Sequence, residues 1–199
     1  VISAETKSEI PFQLEKIGTN EIKYLLMQVT LAPKSLLKID LKKGKPAKVE
    51  AKNYGRYVPE RKDDFAWEND KIAFRVYGPK GQAEALAGVK GSTLSSGVDI
   101  WLKRTEKSVI NEWYKGYLTD PMYYHKDTRG EGYDPYHVGD SRGTGGIGIW
   151  KDEKLQVSKN FISSRTIAEG PLRTVFELTY APWSEFGVKE TKRILLDLG

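Results

Sequence analysis

The chain has 199 residues, of which 39% are hydrophobic and 30% charged, a composition typical of one soluble globular domain and not of a disordered chain. It contains no cysteine, which excludes a disulfide framework, a thiolate zinc site and cysteine catalysis. The net charge of +5 favours an anionic partner, but the basic residues are scattered apart from residues 42–45, which we interpret as a turn. We therefore expect no nucleic-acid partner, and no apolar run approaches the length of a membrane span.

Most of the chain shows the two-residue alternation of β-strands, with Gly, Pro and Lys turns between the apolar runs. The predicted strands are residues 22–31, 37–41, 72–77, 98–102, 147–150, 174–180 and 191–198, and short helices are predicted at residues 82–87 and 108–117. This pattern predicts an all-β fold, an antiparallel β-sandwich with few short helices.

Both ends of the chain bear on its domain organisation. The chain starts at Val1 without an initiator Met or a leader, as in a processed protein or a trimmed one. It stops within the strand-like run of residues 194–199, which is either buried in a sheet or followed by further polypeptide. We predict a single β-rich domain over residues 1–199 that is the N-terminal portion of a longer chain.

Residues 56–70 alternate cations and carboxylates around three aromatic side chains, those of Tyr57, Phe65 and Trp67. Such a segment can form a loop that offers an aromatic surface and hydrogen-bonding groups to a sugar. The spacing alone favours the other interpretation, a salt-bridged hairpin edge in which Phe65 and Trp67 belong to the core.

Residues 123–146 contain both histidines of the chain, His125 and His137, among tyrosines, arginines, carboxylates and six glycines. A loop of this length without secondary structure indicates a functional loop, and a packed structural loop is the alternative. The residue types also allow a divalent metal, with ligands from His125, Asp127, Glu131, Asp134 and His137, but no known ligand spacing is present and we predict no metal or other cofactor. Nucleotide-binding and Ser-His-Asp hydrolase motifs are absent as well.

The strings at residues 57–70, 97–102, 109–114 and 124–146 resemble a secreted bacterial family that is catalogued as a domain of unknown function. The resemblance covers residues 20 to 199. Genes of that family lie in polysaccharide-utilisation loci of Bacteroidota, and one member from an ulvan-degrading system is an oligosaccharide dehydratase. The resemblance implies a secreted or periplasmic protein that acts on uronic-acid-containing oligosaccharides, with a mutarotase-like super-sandwich or its N-terminal part as the fold. Family chains are about twice as long as this one, which implies that the remainder of the polypeptide is a partner of this domain.

A dehydratase that acts on a terminal uronate must neutralise the carboxylate, remove the adjacent proton and protonate the departing hydroxyl. On this chemistry His125 and His137 are the candidate base and acid, with Tyr124 and Tyr136 as alternates. The candidate substrate-binding residues are Arg61 and Arg142 for the carboxylate, Trp67 for stacking and Asp64 for hydroxyl groups. The alternatives are a non-catalytic carbohydrate-binding module and a lyase or epimerase that uses the same base and acid.

Overall fold

The computed structural model describes residues 1–16, 20–138 and 143–199. Within these ranges the sheets are antiparallel and the two α-helices, α1 (Pro79–Leu86) and α2 (Ile110–Tyr117), have eight residues each. The predicted all-β antiparallel class with few short helices is confirmed. The strands are β1 (Ile2–Ser3), β2 (Phe12–Lys16), β3 (Ile22–Met27), β4 (Ile39–Asp40), β5 (Tyr54–Val58), β6 (Asp64–Glu68), β7 (Ile72–Val76), β8 (Asp99–Lys103), β9 (Gly132–Tyr133), β10 (Gly148–Lys151), β11 (Lys154–Val157), β12 (Phe161–Ala168), β13 (Arg173–Tyr180) and β14 (Thr191–Asp197).

Two sheets pack face to face as in a sandwich. The first has the strand order β5-β6-β7-β8-β9, and the second has the order β12-β13-β14. Phe65 and Trp67 of β6 meet Phe176 of β13 between them, and the ring centroids of Phe65 and Phe176 are 4.3 Å apart. Burial of these large aromatic side chains holds the two layers together. The mutarotase-like super-sandwich is a finer prediction that stays a prediction.

The opposite face of the five-stranded sheet is covered by α2. This helix buries Ile110, Trp113 and Tyr114, and its aromatic rings pack against Trp101 of β8 at centroid distances of 5.5 and 5.4 Å. The five-stranded sheet is therefore the middle layer, with apolar contacts on both of its faces. No helix in the described ranges is both long and apolar enough to cross a membrane.

Of the two interpretations of residues 56–70, the hairpin that their spacing favours is the one that forms. Strands β5 and β6 pair from Tyr54 opposite Glu68 to Val58 opposite Asp64, and all five residues of β6 are buried. The charges of Asp64 and Glu68 hide this strand in the sequence, since buried carboxylates are rare unless partners from elsewhere in the fold satisfy them. Here those partners come from residues 14 to 42 positions further along the chain or from the neighbouring turn.

Other predicted elements are present with shifted ends. The strand predicted over residues 22–31 ends at Met27, and the strand predicted over residues 37–41 is only two residues long. Strand β12 (Phe161–Ala168) is absent from the predictions because Ser163, Ser164 and Arg165 interrupt its apolar pattern on an exposed edge of the smaller sheet. An edge strand needs only one paired neighbour and one buried face, so its sequence signal is weak.

Candidate functional site

One face of the five-stranded sheet bears a row of buried charged side chains at the end near α1. Arg75 of β7 lies directly opposite Asp99 of β8 in the strand pairing, and Asp64 is in the neighbouring strand β6. The exposed fraction is 3% for Arg75, 1% for Asp99 and 0% for Asp64. Buried charges of this kind need partners, so their contacts define the site.

Arg75 is the centre of this cluster. Its Nε and Nη2 donate to Asp99 Oδ2 at 3.1 and 2.5 Å, and its Nη1 donates to the Tyr124 hydroxyl at 2.9 Å. A longer contact of 3.4 Å joins Nη2 to Asp134 Oδ2. The guanidinium carbon lies 5.2 to 5.7 Å from the ring centroids of Tyr77, Trp101 and Tyr124. Because these residues surround Arg75, its guanidinium group is not accessible to a ligand. Its role is to hold the surrounding side chains in position.

Arg61 lies in the β5–β6 turn, where Lys62 and Asp63 adopt left-handed backbone conformations with φ of 52° and 61°. Its Nη1 donates to Asp64 Oδ2 at 3.0 Å, while its Nε is buried and has no hydrogen-bond partner among the described residues. Its guanidinium carbon is 5.8 Å from the ring centroids of both Tyr77 and Tyr117. A buried N–H donor without a partner indicates a place for a water molecule or an anionic ligand.

Asp64 positions this turn. The backbone N–H of Gly78, at the start of α1, donates to its Oδ1 at 3.3 Å, while Oδ2 accepts the bond from Arg61. Gly78 is required there because a Cβ atom would lie 1.6 Å from the carbonyl oxygen of Asp63. The predicted contact of Asp64 with substrate hydroxyls is therefore wrong: its side chain is fully buried, and burial raises its pKa.

His125 stands at the rim of the cluster, with 29% of its side chain exposed. Its Nδ1 lies 3.4 Å from both the carboxylate Oδ2 and the backbone oxygen of Asp134. Burial lowers the pKa of His125, which favours the neutral imidazole. Burial also raises the pKa of Asp134 to about 7, against the opposing charge of Arg75. The two groups thus have pKa values shifted in opposite directions, as in sites of proton transfer.

Residues from both predicted segments meet around Arg75. Arg61 comes from the first segment, and Tyr124 and His125 come from the second. Tyr124 is fully buried beneath His125, and burial raises the pKa of its hydroxyl, which makes it a poor base. The segment 123–146 is loop-like in its described part, with only the two residues of β9 in a strand.

Trp67 does not belong to this site. It is 3% exposed, and its ring packs 5.3 Å from Phe74 and 5.1 Å from Phe176, between the two sheets. A covered indole offers no face to a sugar ring, so the prediction that Trp67 is a stacking surface is wrong. The reason is that β6 is a central strand, and alternate residues of a central strand face opposite buried layers.

His137 and Tyr136 line a different cavity of about 300 Å³, beside Val98 and Val138. Asp99 connects this cavity to the cluster, since it also lines the cavity and its Oδ1 is buried without a hydrogen-bond partner in the described part of the chain. Both aromatic side chains are exposed to solvent. Arg142, the second predicted carboxylate-binding residue, lies outside the described residues.

The three carboxylates that we weighed as metal ligands, those of Asp127, Glu131 and Asp134, contact arginines of the protein instead. Arg104 pairs with Asp127 at 3.3 Å, and Arg129 pairs with Glu131 at 3.0 Å. Among residues 1–16, 20–138 and 143–199 there is no group of three or more carboxylate or imidazole side chains placed to hold a metal ion.

Sequence reasoning missed the central pair of the site. Arg75 and Asp99 appear in the sequence as single charges within the otherwise apolar strands of residues 72–77 and 98–102. A charge inside a strand that is expected to be buried is the signal that would have found them, because such a charge requires a specific partner.

Comparison with known proteins gives a family but no solved fold. The family model described as "Domain of unknown function (DUF4861)" matches residues 1–199. The chain is 46% identical over 187 residues to "Uncharacterized protein P7" of Formosa agariphila. This match covers 92% of the chain and 47% of the relative, so the chain spans about half the length of that curated protein. No solved structure matches the chain.

Proposed function

Starting from the fact that the chain belongs to the family of the domain of unknown function DUF4861, we propose that it is part of an enzyme that eliminates water from the terminal uronate of acidic oligosaccharides. The observation that carries this proposal is the contact of a partly exposed histidine, His125, with a buried carboxyl group, near the buried Arg75 and the largely covered Arg61. The ulvan-degrading relative and the polysaccharide-utilisation context implied by the resemblance point in the same direction. Secretion or a periplasmic location is part of the same proposal.

Arg61 is the group that we assign to the substrate carboxylate. Its Nε–H is a buried donor without a partner among the described residues, and the adjacent rings of Tyr77 and Tyr117 limit access of water to it. A carboxylate bound there would satisfy this donor through a charge-assisted hydrogen bond. Neutralising the carboxylate makes the proton on the neighbouring carbon more acidic, which is the first requirement of the elimination.

His125 is the base in this proposal. Its neutral imidazole takes the proton from the carbon next to the carboxylate, a carbon–carbon double bond forms, and the bond to the 4-oxygen breaks. The proton on the imidazole then passes to the departing oxygen, and water leaves. Asp134 and Arg75 hold the imidazole in place, and His137 in the adjoining cavity is the second candidate for the acid.

The test is incubation of the protein with uronate-terminated oligosaccharides. Elimination produces a conjugated unsaturated acid, seen as new ultraviolet absorbance, and mass spectrometry shows loss of one water from an intact chain. We expect His125→Ala to lower turnover by about 100-fold or more. The pKa of His125 is lowered by burial. The turnover of the wild-type protein should therefore fall on the acid side with a midpoint below pH 6.5, the ordinary pKa of histidine.

His137→Ala is the second variant, because it removes the other candidate acid, which lies in the neighbouring cavity. Full turnover in both variants would show that neither histidine is catalytic. Two shorter fragments in the mass spectrum would indicate a lyase, and a stereochemical change without loss of water would indicate an epimerase.

A non-catalytic carbohydrate-binding module is the second candidate, and the β10–β11 hairpin favours it. Trp150 of β10 is 70% exposed, and an exposed indole is suited to stacking on a sugar ring. In that case Trp150→Ala would weaken oligosaccharide binding, and no absorbance would develop with the wild-type protein.

A further inference from the structure

A second charged feature lies far from Arg75 in sequence, on the segment of residues 38–52, which we name the basic arm. It contains six lysines, one aspartate and one glutamate, so its charge is +4 out of +5 for the whole chain. Residues 41–51 are all exposed and form no helix or strand. Most of the net positive charge of the chain therefore comes from this one exposed segment, since cations and carboxylates nearly balance elsewhere.

The backbone of the basic arm is attached to the body of the domain. Strand β4, at its start, pairs with β1, and the N–H of Ala47 donates to the Glu9 carboxylate at 2.8 Å. Val49 and Pro46 line a cavity of about 380 Å³ together with Ile10 and Phe12. These contacts give the lysines of the arm a defined location on the surface.

The lysine side chains of the basic arm are mostly without partners. Lys52 pairs with Glu106 at 2.6 Å, and the one aspartate of the arm, Asp40, already faces Lys7 at 3.9 Å. The other five ammonium groups make no hydrogen bond or ion pair to any described residue; they belong to Lys38, Lys42, Lys43, Lys45 and Lys48. Several like charges held close together attract a polymer of opposite charge, because each contact adds to the same local potential.

We propose that the basic arm is a second binding surface, which retains a linear acidic polysaccharide while the cluster around Arg75 acts on chain ends. The choice of a glycan rests on the function proposed above. The composition of the arm argues against a nucleic acid as the partner. The arm has no aromatic residue that could stack on bases and no arginine that could form bidentate hydrogen bonds with phosphates or base edges. The arm has no helix either, whereas lipid-surface segments commonly present lysines on an amphipathic helix.

The experiment is affinity gel electrophoresis of the protein in gels that contain polygalacturonate, with dextran as the neutral reference. The wild-type protein should be retarded by polygalacturonate only, and the retardation should decrease between about 50 and 300 mM salt because screening weakens contacts between exposed charges. The variant Lys42→Gln/Lys43→Gln/Lys45→Gln/Lys48→Gln should bind at least about tenfold more weakly.

A second quadruple variant removes the same charge elsewhere: Lys90→Gln/Lys154→Gln/Lys159→Gln/Lys189→Gln, four exposed lysines with no ion pair to the described residues. This variant should bind polygalacturonate nearly as well as the wild-type protein. Equal weakening of both variants would overturn the proposal, because net charge alone would then explain retention. Tighter binding of the wild-type protein to single-stranded DNA or to anionic lipid vesicles at equal salt would overturn the choice of a polysaccharide.

The proposed elimination reaction and the proposed binding surface can be disproved independently of each other. His125→Ala should lose turnover and keep its retardation in the gel, while the arm variant should lose retardation and keep turnover of a short oligosaccharide. An arm variant that is retarded like the wild-type protein would disprove the binding surface and leave the elimination reaction unaffected.

Discussion

At the scale of single residues, the two arginines of the site have different tasks. Arg75 has carboxylate and hydroxyl partners on three of its nitrogen atoms, so it fixes the positions of Asp99, Tyr124 and Asp134. Arg61 makes one hydrogen bond to Asp64 and keeps a buried donor unpaired. An unpaired buried donor costs stability, and such a cost is commonly retained where a ligand supplies the missing partner.

Asp134 provides a prediction on stability. Its pKa of about 7 in the folded protein is above the ordinary value of 3.8, so the folded state holds a proton that the unfolded state has lost between these pH values. The free energy of unfolding should therefore fall by up to about 4 kcal/mol from this group as the pH rises from about 4 to about 7. The variant Asp134→Asn has no titratable group at this position, so its free energy of unfolding should not show this decrease. Urea unfolding of both proteins at several pH values measures the difference, and parallel curves would contradict the prediction.

At the scale of elements, the central strand β6 supports both helices through its two carboxylates. Asp64 accepts a hydrogen bond from the first residue before α1, and Glu68 accepts hydrogen bonds from the backbone N–H groups of Val109 and Ile110 at the start of α2. Glu68 also pairs with Lys103 Nζ at 2.8 Å, with both side chains fully buried. Helix α2 has no capping side chain of its own at Val109, so the carboxylate of a sheet residue takes that place.

We expect Glu68→Gln to lower the free energy of unfolding by about 3–5 kcal/mol, because Lys103 would remain as a buried charge without its counter-ion. Thermal or urea unfolding followed by circular dichroism measures this loss. Glu106→Gln is the matched control, since Glu106 pairs with lysines at the surface and should change stability little. A loss at position 68 as small as that at position 106 would show that the buried pair does not hold α2.

Strands and helices with a regular pattern could be predicted from the sequence. The strands at residues 72–76 and 173–180 and the helix ending at Tyr117 agree with the alternation of apolar side chains. Strand β6 could not be recognised because its charged residues are buried, and the partners that allow this burial are brought in by β8 and α2. The hairpin interpretation of residues 56–70 correctly placed Phe65 and Trp67 in the core.

At the scale of the whole molecule, the two sheets depend on a small set of aromatic contacts. Phe176 of β13 is fully buried and touches both Phe65 and Trp67 of the facing sheet. We expect Phe176→Ala to lower the free energy of unfolding by about 3–5 kcal/mol, because it leaves a cavity between the layers. Tryptophan fluorescence reports on this interface through Trp67, and urea unfolding provides the free energy.

Leu195→Ala is the comparison, since Leu195 on the neighbouring strand is 54% exposed and its loss should have a much smaller effect. Similar losses in the two variants would indicate that the layers are not held by the aromatic contacts. The basic arm and the cluster around Arg75 belong to this scale as well, because one polysaccharide chain would contact both only if the domain holds them at fixed positions.

By itself, the sequence determined the antiparallel β class and the absence of any cysteine chemistry. These follow from composition and from alternation along a few neighbouring residues. Only the tertiary structure decided that Trp67 and Asp64 are buried, that Arg75 is the centre of the cluster, and that His125 lies beside Asp134 while His137 lines a separate cavity. The reason is physical: whether a charge is buried, and which group neutralises it, depends on residues that are distant in the chain and meet only when the sheets pack.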